Sequence, residues 1–150
     1  MSRHTNPFGG LALAELRMFL GITGGGSGGG DRAIGCCFDG SGAALVLTGT
    51  TAITVSVPVN GTLTGYRITT RGGPGSCTIK VRKSSYASFP GSLADITGGA
   101  HCVLSSAHAA EDTTLSGWST SLSAGDVLEF ALSSAATVKQ AVLLLTYTPS

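Results

Sequence analysis

This chain has little charge. Asp, Glu, Lys and Arg make up 11% of its 150 residues, and the formal net charge is +1. Globular chains average about 25% charged residues. No basic stripe is present to neutralise a phosphate backbone, so nucleic acid is not an expected partner. Arg67, Arg71, Lys80, Arg82 and Lys83 form the one local excess of positive charge, and as alternating strand residues they read as a solvated face. Long apolar runs are also missing. Nothing approaches the roughly 18 to 20 apolar residues that cross a bilayer, so no membrane partner is expected. The stretch Leu11 to Leu20 carries Glu15 and Arg17 in its middle and no small-residue cleavage site follows it, which excludes a secretory signal. The chain is expected to stay in the cytoplasm until some larger particle carries it out. Cysteine is sparse too: Cys36, Cys37, Cys77 and Cys102 lack the C-x-x-C or His spacing of a zinc site and read as buried thiols. No metal or cofactor is expected.

Glycine is what the chain has in quantity, and one run divides it. Gly24 to Gly30 reads Gly-Gly-Gly-Ser-Gly-Gly-Gly. A stretch without side chains to bury and with high backbone entropy to lose behaves as a spacer, whether natural or introduced by design. Phosphate-cradling loops need a strand before the glycines and a helix after them. Here the order is wrong on both sides, with Asp31-Arg32 following. The division is therefore an anchor over 1–23, a linker over 24–30 and a displayed domain over 31–150.

The anchor contains Leu-Ala-Leu-Ala-Glu-Leu-Arg-Met-Phe-Leu, opened by Gly9-Gly10 and closed by Gly21. These are strong helix formers, and the pattern predicts a helix of under three turns from Leu11 to Leu20. So short a helix is marginal alone in water. Leu13, Leu16 and Leu20 have the spacing of a coiled-coil seam, while Leu11, Met18 and Phe19 make the remaining sides apolar. These six residues are the expected docking surface for another chain, with packing back on the chain's own domain as the alternative.

After Asp31 the pattern changes to period two. Ile53, Val55, Val57 and Val59 alternate with Thr54, Ser56 and Pro58, and Asn60-Gly61 follows as the strongest hairpin signal in the chain. Further strands are expected at Ala33 to Phe38, Ala43 to Leu47, Thr62 to Thr70, Ser76 to Lys83, Val127 to Ser133 and Thr137 to Thr148, the last buried on both faces. Ser84 to Thr114 is irregular, with one helical turn expected at Ala107 to Asp112. About eight short strands separated by turn residues point to an all-β antiparallel sandwich, a jelly roll.

Candidate chemistry is thin. His101, His108, Glu111 and Asp112 form the best polar cluster, and the three-residue spacing of His108 and Glu111 would suit a metal pair on one helical face. Exposed loop residues account for them more simply. Asp39-Gly-Ser-Gly and Gly125-Asp126 lack the spaced carboxylates of a calcium loop and read as turns. Tyr86, Phe89 and Trp118 have the makings of a sugar platform, although aromatics in a sandwich are more often core or corner residues. No catalytic residue is assigned and no enzyme is expected.

From Lys80 onward the motifs accumulate in order: Lys83-Ser-Ser-Tyr86-Ala-Ser-Phe89-Pro90, Asp95-Ile96-Thr97-Gly98, Leu104-Ser105-Ser-Ala107, Thr114-Leu115-Ser-Gly117-Trp118, Gly125-Asp126-Val-Leu128-Glu-Phe130 and Ala136-Thr137-Val138. This run, about half the chain, resembles a β-sandwich module that recurs in virion proteins of tailed bacteriophages, among them decoration, head fibre and tail fibre proteins. It departs from that pattern at His101-Cys102, where the module has Lys-Pro, and at Gly91, where a second proline is frequent. The resemblance implies structural roles: aromatics plugging the sandwich, Gly-Asp setting a turn, prolines fixing loops. It implies a virion localisation, with assembly in the host cytoplasm and other virion proteins as partners, either the major capsid protein or a tail component. It also implies a homo-oligomer, expected as a trimer. The economy of helix, tether and one module suits a capsid decoration, cement or head-fibre subunit. A short tail fibre or tail adaptor touching a host-surface glycan is the alternative.

Overall fold

Alternating sequence becomes strand almost throughout a computed structural model of the chain, which describes residues 15–17, 30–45, 47 and 51–150, and of 15–17 only the backbone. The strands are β1 (Glu15–Arg17), β2 (Arg32–Asp39), β3 (Thr51–Ser56), β4 (Gly61–Arg71), β5 (Gly75–Ser84), β6 (Ala94–Asp95), β7 (Cys102–Ala107), β8 (Ala109–Asp112), β9 (Ser121–Leu122), β10 (Val127–Ala136) and β11 (Gln140–Pro149). They form two antiparallel sheets. One runs β1-β2-β11-β4-β8, with β9 also on β4; the other runs β3-β10-β5-β6, with β7 also on β5. The expected all-β, two-sheet architecture is present, and the short β1, β6 and β9 bring the strands among the described residues to eleven.

One core lies between the sheets. Ile34, Cys36 and Phe38 of β2 and Ala141, Leu143, Leu145 and Tyr147 of β11 join Ile53 and Val55 of β3, Cys77, Ile79 and Val81 of β5, and Leu128, Phe130 and Leu132 of β10 in a single apolar cluster. Each fully buried large side chain contributes about 1.5–3 kcal/mol of transfer free energy. The outer face of β11 is less enclosed than the sequence suggested. Val142 and Leu144 are only half-buried.

The order of strands explains why the strongest local signal misled. β3 pairs with β10 and β4 with β11, so the chain crosses from one sheet to the other at Asn60-Gly61 and closes no hairpin there. Asn60 instead ties loops together, its side-chain oxygen accepting from Ala124 N at 2.7 Å and its carbonyl from Ser150 N at 3.1 Å. Two other expectations also change. The described part of Ala43 to Leu47 is a turn and connector in which Leu45 donates to the Val138 carbonyl and plugs the core, in place of a strand. In the stretch expected as a helical turn at 107–112, Ala107 ends β7, His108 is a bend and Ala109–Asp112 is strand β8, because β4 offers it an edge, with Tyr66↔Asp112 through Thr69↔Ala109 in register. Ser106, at φ 46°, lies within β7 at the irregularity where its register with β5 shifts.

The anchor differs most. Glu15–Arg17, the described part of the stretch expected as a helix, is a strand antiparallel to β2. A helix of under three turns gains little from its own hydrogen bonds. An open sheet edge offers the same backbone a ready row of partners. Leu11, Leu13, Met18, Phe19 and Leu20 lie outside the described residues, as does the linker before Gly30.

Candidate functional site

β2 carries the edge to which the anchor is joined. Its alternation sends Ile34, Cys36 and Phe38 into the core, all essentially inaccessible, and leaves Cys37 and Asp39 on the outer face. Glu15 stands opposite Asp39, Leu16 opposite Phe38 and Arg17 opposite Cys37. Leu16 thus shares a register position with Phe38, and Glu15 and Arg17 stand at the alternate positions. That is the pattern of a strand with one apolar side. On its other side β2 is held tightly to β11. A Cβ at Gly35 would fall on the Leu143 carbonyl oxygen and within 3.0 Å of Leu144 Cα, so only glycine permits this approach.

The polar cluster is dispersed. The Glu111 carboxylate accepts from Arg67 Nε at 3.0 Å in an exposed pair. Asp112 turns to its own loop, accepting from Thr114 N and Oγ1 at 2.7 Å and Leu115 N at 3.3 Å; these bonds hold its carboxyl below the ordinary value, outweighing slight desolvation. The His108 carbonyl accepts from Thr70 N at 2.9 Å. His101 Nδ1 lies 2.9 Å from Thr97 Oγ1 and 3.8 Å from Asp95 Oδ2. No group of three metal-ligating side chains converges among the described residues. Helical spacing was the premise of the His108–Glu111 pair, and the strand at β8 removes it.

Around Asp95 the arrangement is structural. Burial pushes its carboxyl up, but Thr97 N and Oγ1, each donating at 2.7 Å, with the charges of His101 and Lys80, bring it below the ordinary aspartate value. A depressed folded value means that the unfolded chain binds the proton more readily. The stabilisation is present above the unfolded value near 4 and is lost as pH falls through the lower folded one. Asp95→Asn is therefore expected to flatten the acid limb of the thermal-stability profile below about pH 4, as read by circular dichroism; an unchanged limb would remove this role.

The aromatics separate into two groups. Trp118 is buried, stacks on Tyr66 with centroids 5.8 Å apart and planes at 19°, and donates from Nε1 to the Ala100 carbonyl at 2.9 Å. Tyr86, 76% exposed, and Phe89, 37% exposed, stand instead on a 3-10 turn (Tyr86–Ser88) and its end, plugging nothing. Of the other motifs, Gly125 at φ +87° and Asp126, whose Oδ2 accepts from Ser123 N at 2.9 Å, set the turn into β10. The four cysteines are buried and none is in a disulfide; burial raises the Cys77 thiol to about 11 and also raises Cys36 and Cys102.

No family model, curated protein or solved structure matches the chain.

What the sequence reading missed is a cleft of about 420 Å³ lined by Asp39, Ser41, Gly42, Arg71, Lys139 and Gln140. The alignment Asp39↔Gln140↔Arg71 across β2, β11 and β4 assembles three of them. Only long-range register brings them together, so no local motif marks them.

Proposed function

We propose that the chain is a structural subunit of a tailed-bacteriophage virion: a small capsid decoration, cement or head-fibre protein that docks through its N-terminal segment and displays a sandwich over 31–150 beyond the 24–30 tether. The observation that carries this reading is the placement of the motifs that resemble the phage module. Asp95–Thr97 leads from the end of β6 into a bend, Gly125–Asp126 falls at a turn, and Leu104, Trp118, Leu128 and Phe130 fall in the core. They are the positions that maintain a sandwich, consistent with a displayed scaffold and no catalysis. The strand order supports a jelly roll, since β2-β11-β4-β8 lies opposite β3-β10-β5-β6/β7 and six of the eight connections among these strands cross between sheets.

In this reading the anchor works as a strand. Leu16 lies at an apolar register position and Leu11, Leu13, Met18, Phe19 and Leu20 supply further apolar surface by sequence. Edge strands of this kind pair readily with a second chain, a partner shell subunit or another copy. A homo-oligomer, a trimer in particular, concentrates such arms at one end. The exposed Tyr86 favours a second reading, a short tail fibre or tail adaptor whose sandwich contacts a host-surface glycan. Imaging of virions with the chain labelled tests both, because shell and tail are spatially distinct.

A further inference from the structure

Seven lysines and arginines have described side chains, and three of them are in ion pairs. Arg67 pairs with Glu111, Arg82 with Glu129, and Lys83 with Asp126. Arg71 and Lys139 have no ion-pair partner among the described residues, and both line the same cleft. Their positions are fixed by backbone. Lys139 N donates to the Arg71 carbonyl at 2.9 Å, and Gly40 N to the Lys139 carbonyl at 2.8 Å, so three loops meet in one frame. The aliphatic stem of Lys139 lies over Gly72, where a Cβ would come within 2.6 Å of its Cγ. Beside the two cations sits one carboxylate. Asp39 Oδ1 accepts from Ser41 N at 2.9 Å and Oδ2 from Gln140 Nε2 at 3.4 Å, which orients it while leaving acceptor capacity.

We propose that this cleft, bounded by Asp39, Arg71, Lys139 and Gln140, binds a carboxylated saccharide. The inference stands apart from the particle reading and holds whichever structure carries the chain. A cleft of this volume falls within the roughly 300–1,000 Å³ of small-ligand sites. Two unpaired cations from different strand ends suit one carboxylate, with the Arg71 fork taking both oxygens and the Lys139 ammonium acting as a point charge. Asp39 decides the rest of the chemistry. It repels a small dianion such as inorganic phosphate, whereas its free lone pairs and the Gln140 amide match ring hydroxyls.

The test is an amide-shift titration of the full-length isotope-labelled protein with methyl glucuronide, with methyl glucoside and inorganic phosphate as comparison ligands. Methyl glucuronide is expected to shift the amides of Gly40, Ser41, Gly42, Gly72 and Gln140, and to bind about tenfold more tightly than the neutral glucoside, the value of one charge-assisted hydrogen bond. Arg71→Met and Lys139→Met keep the apolar stems, and each is expected to weaken binding by about tenfold with the remaining spectrum unchanged. The proposal is overturned if these amides do not respond to the glucuronide, if the glucoside or phosphate binds as well, or if both variants bind as the parent does.

Discussion

Removal of residues 1–23 is expected to lower incorporation of the protein into virions to below about a tenth of the full-length level, while leaving the sandwich folded. The loss is large because every contact assigned to docking lies in that segment. Removing several apolar anchors together forfeits at least the 1.4 kcal/mol that separates tenfold steps in occupancy. The fold should survive, since the core cluster runs from Ile34 to Tyr147 and its strands pair with one another. Truncation also uncovers the edge of β2 along Cys37, Phe38 and Asp39, where β1 now pairs. The truncated protein is therefore expected to self-associate more at raised concentration. Co-sedimentation with particles and far-ultraviolet circular dichroism check the two halves. Normal incorporation of the truncated chain would refute docking through the anchor, and an unfolded product would show that the anchor belongs to the fold.

Phe130→Ala is expected to destabilise the chain by about 3–5 kcal/mol, against a total of roughly 5–15 kcal/mol for a domain. Phe130 is fully buried at the centre of β10, in register with Ile53 of β3 on one side and Val81 of β5 on the other. Truncation removes its transfer free energy and leaves a cavity that two hydrogen-bonded neighbours prevent from collapsing. Tyr86→Ala provides the contrast, because an exposed side chain outside any contact network changes stability by less than about 0.5 kcal/mol. Urea unfolding of the two variants measures the difference. Equal midpoints would contradict the packing described for β10.

Sheets were legible in this sequence where one face is wet and the other dry. The alternation of Cys77, Ile79 and Val81 with Thr78, Lys80 and Arg82 identified β5 and its inner face, and the glycines after Arg71 located the loop that precedes it. Partnership was not legible. Asn60-Gly61 has the chemistry of a hairpin, yet the strands on either side belong to different sheets, and nothing within a few residues of the turn reports that. The same limit applies to β8 and β1. Ala107 to Asp112 and Leu11 to Leu20 hold good helix formers, but in both places a long strand offers an edge, and tertiary pairing outweighs propensities worth tenths of a kcal/mol per residue.

The candidate sites follow the same logic. His108 and Glu111 were grouped by a spacing that has meaning only on a helix. Trp118 was read as a corner or core residue and is one, because its indole needs both apolar contact and an acceptor, which Tyr66 and the Ala100 carbonyl supply. Arg71 and Lys139 were invisible as a pair, being 68 positions apart in sequence (139 − 71) and joined only through the meeting of β4 and β11.

The most direct measurement is electron microscopy of purified virions carrying the chain with a label at its C-terminus. The label is expected at regular, symmetry-related positions on the outside of the shell. Label confined to the tail would replace the decoration reading with the tail-fibre one, and virions without the chain would contradict a structural role in the particle altogether.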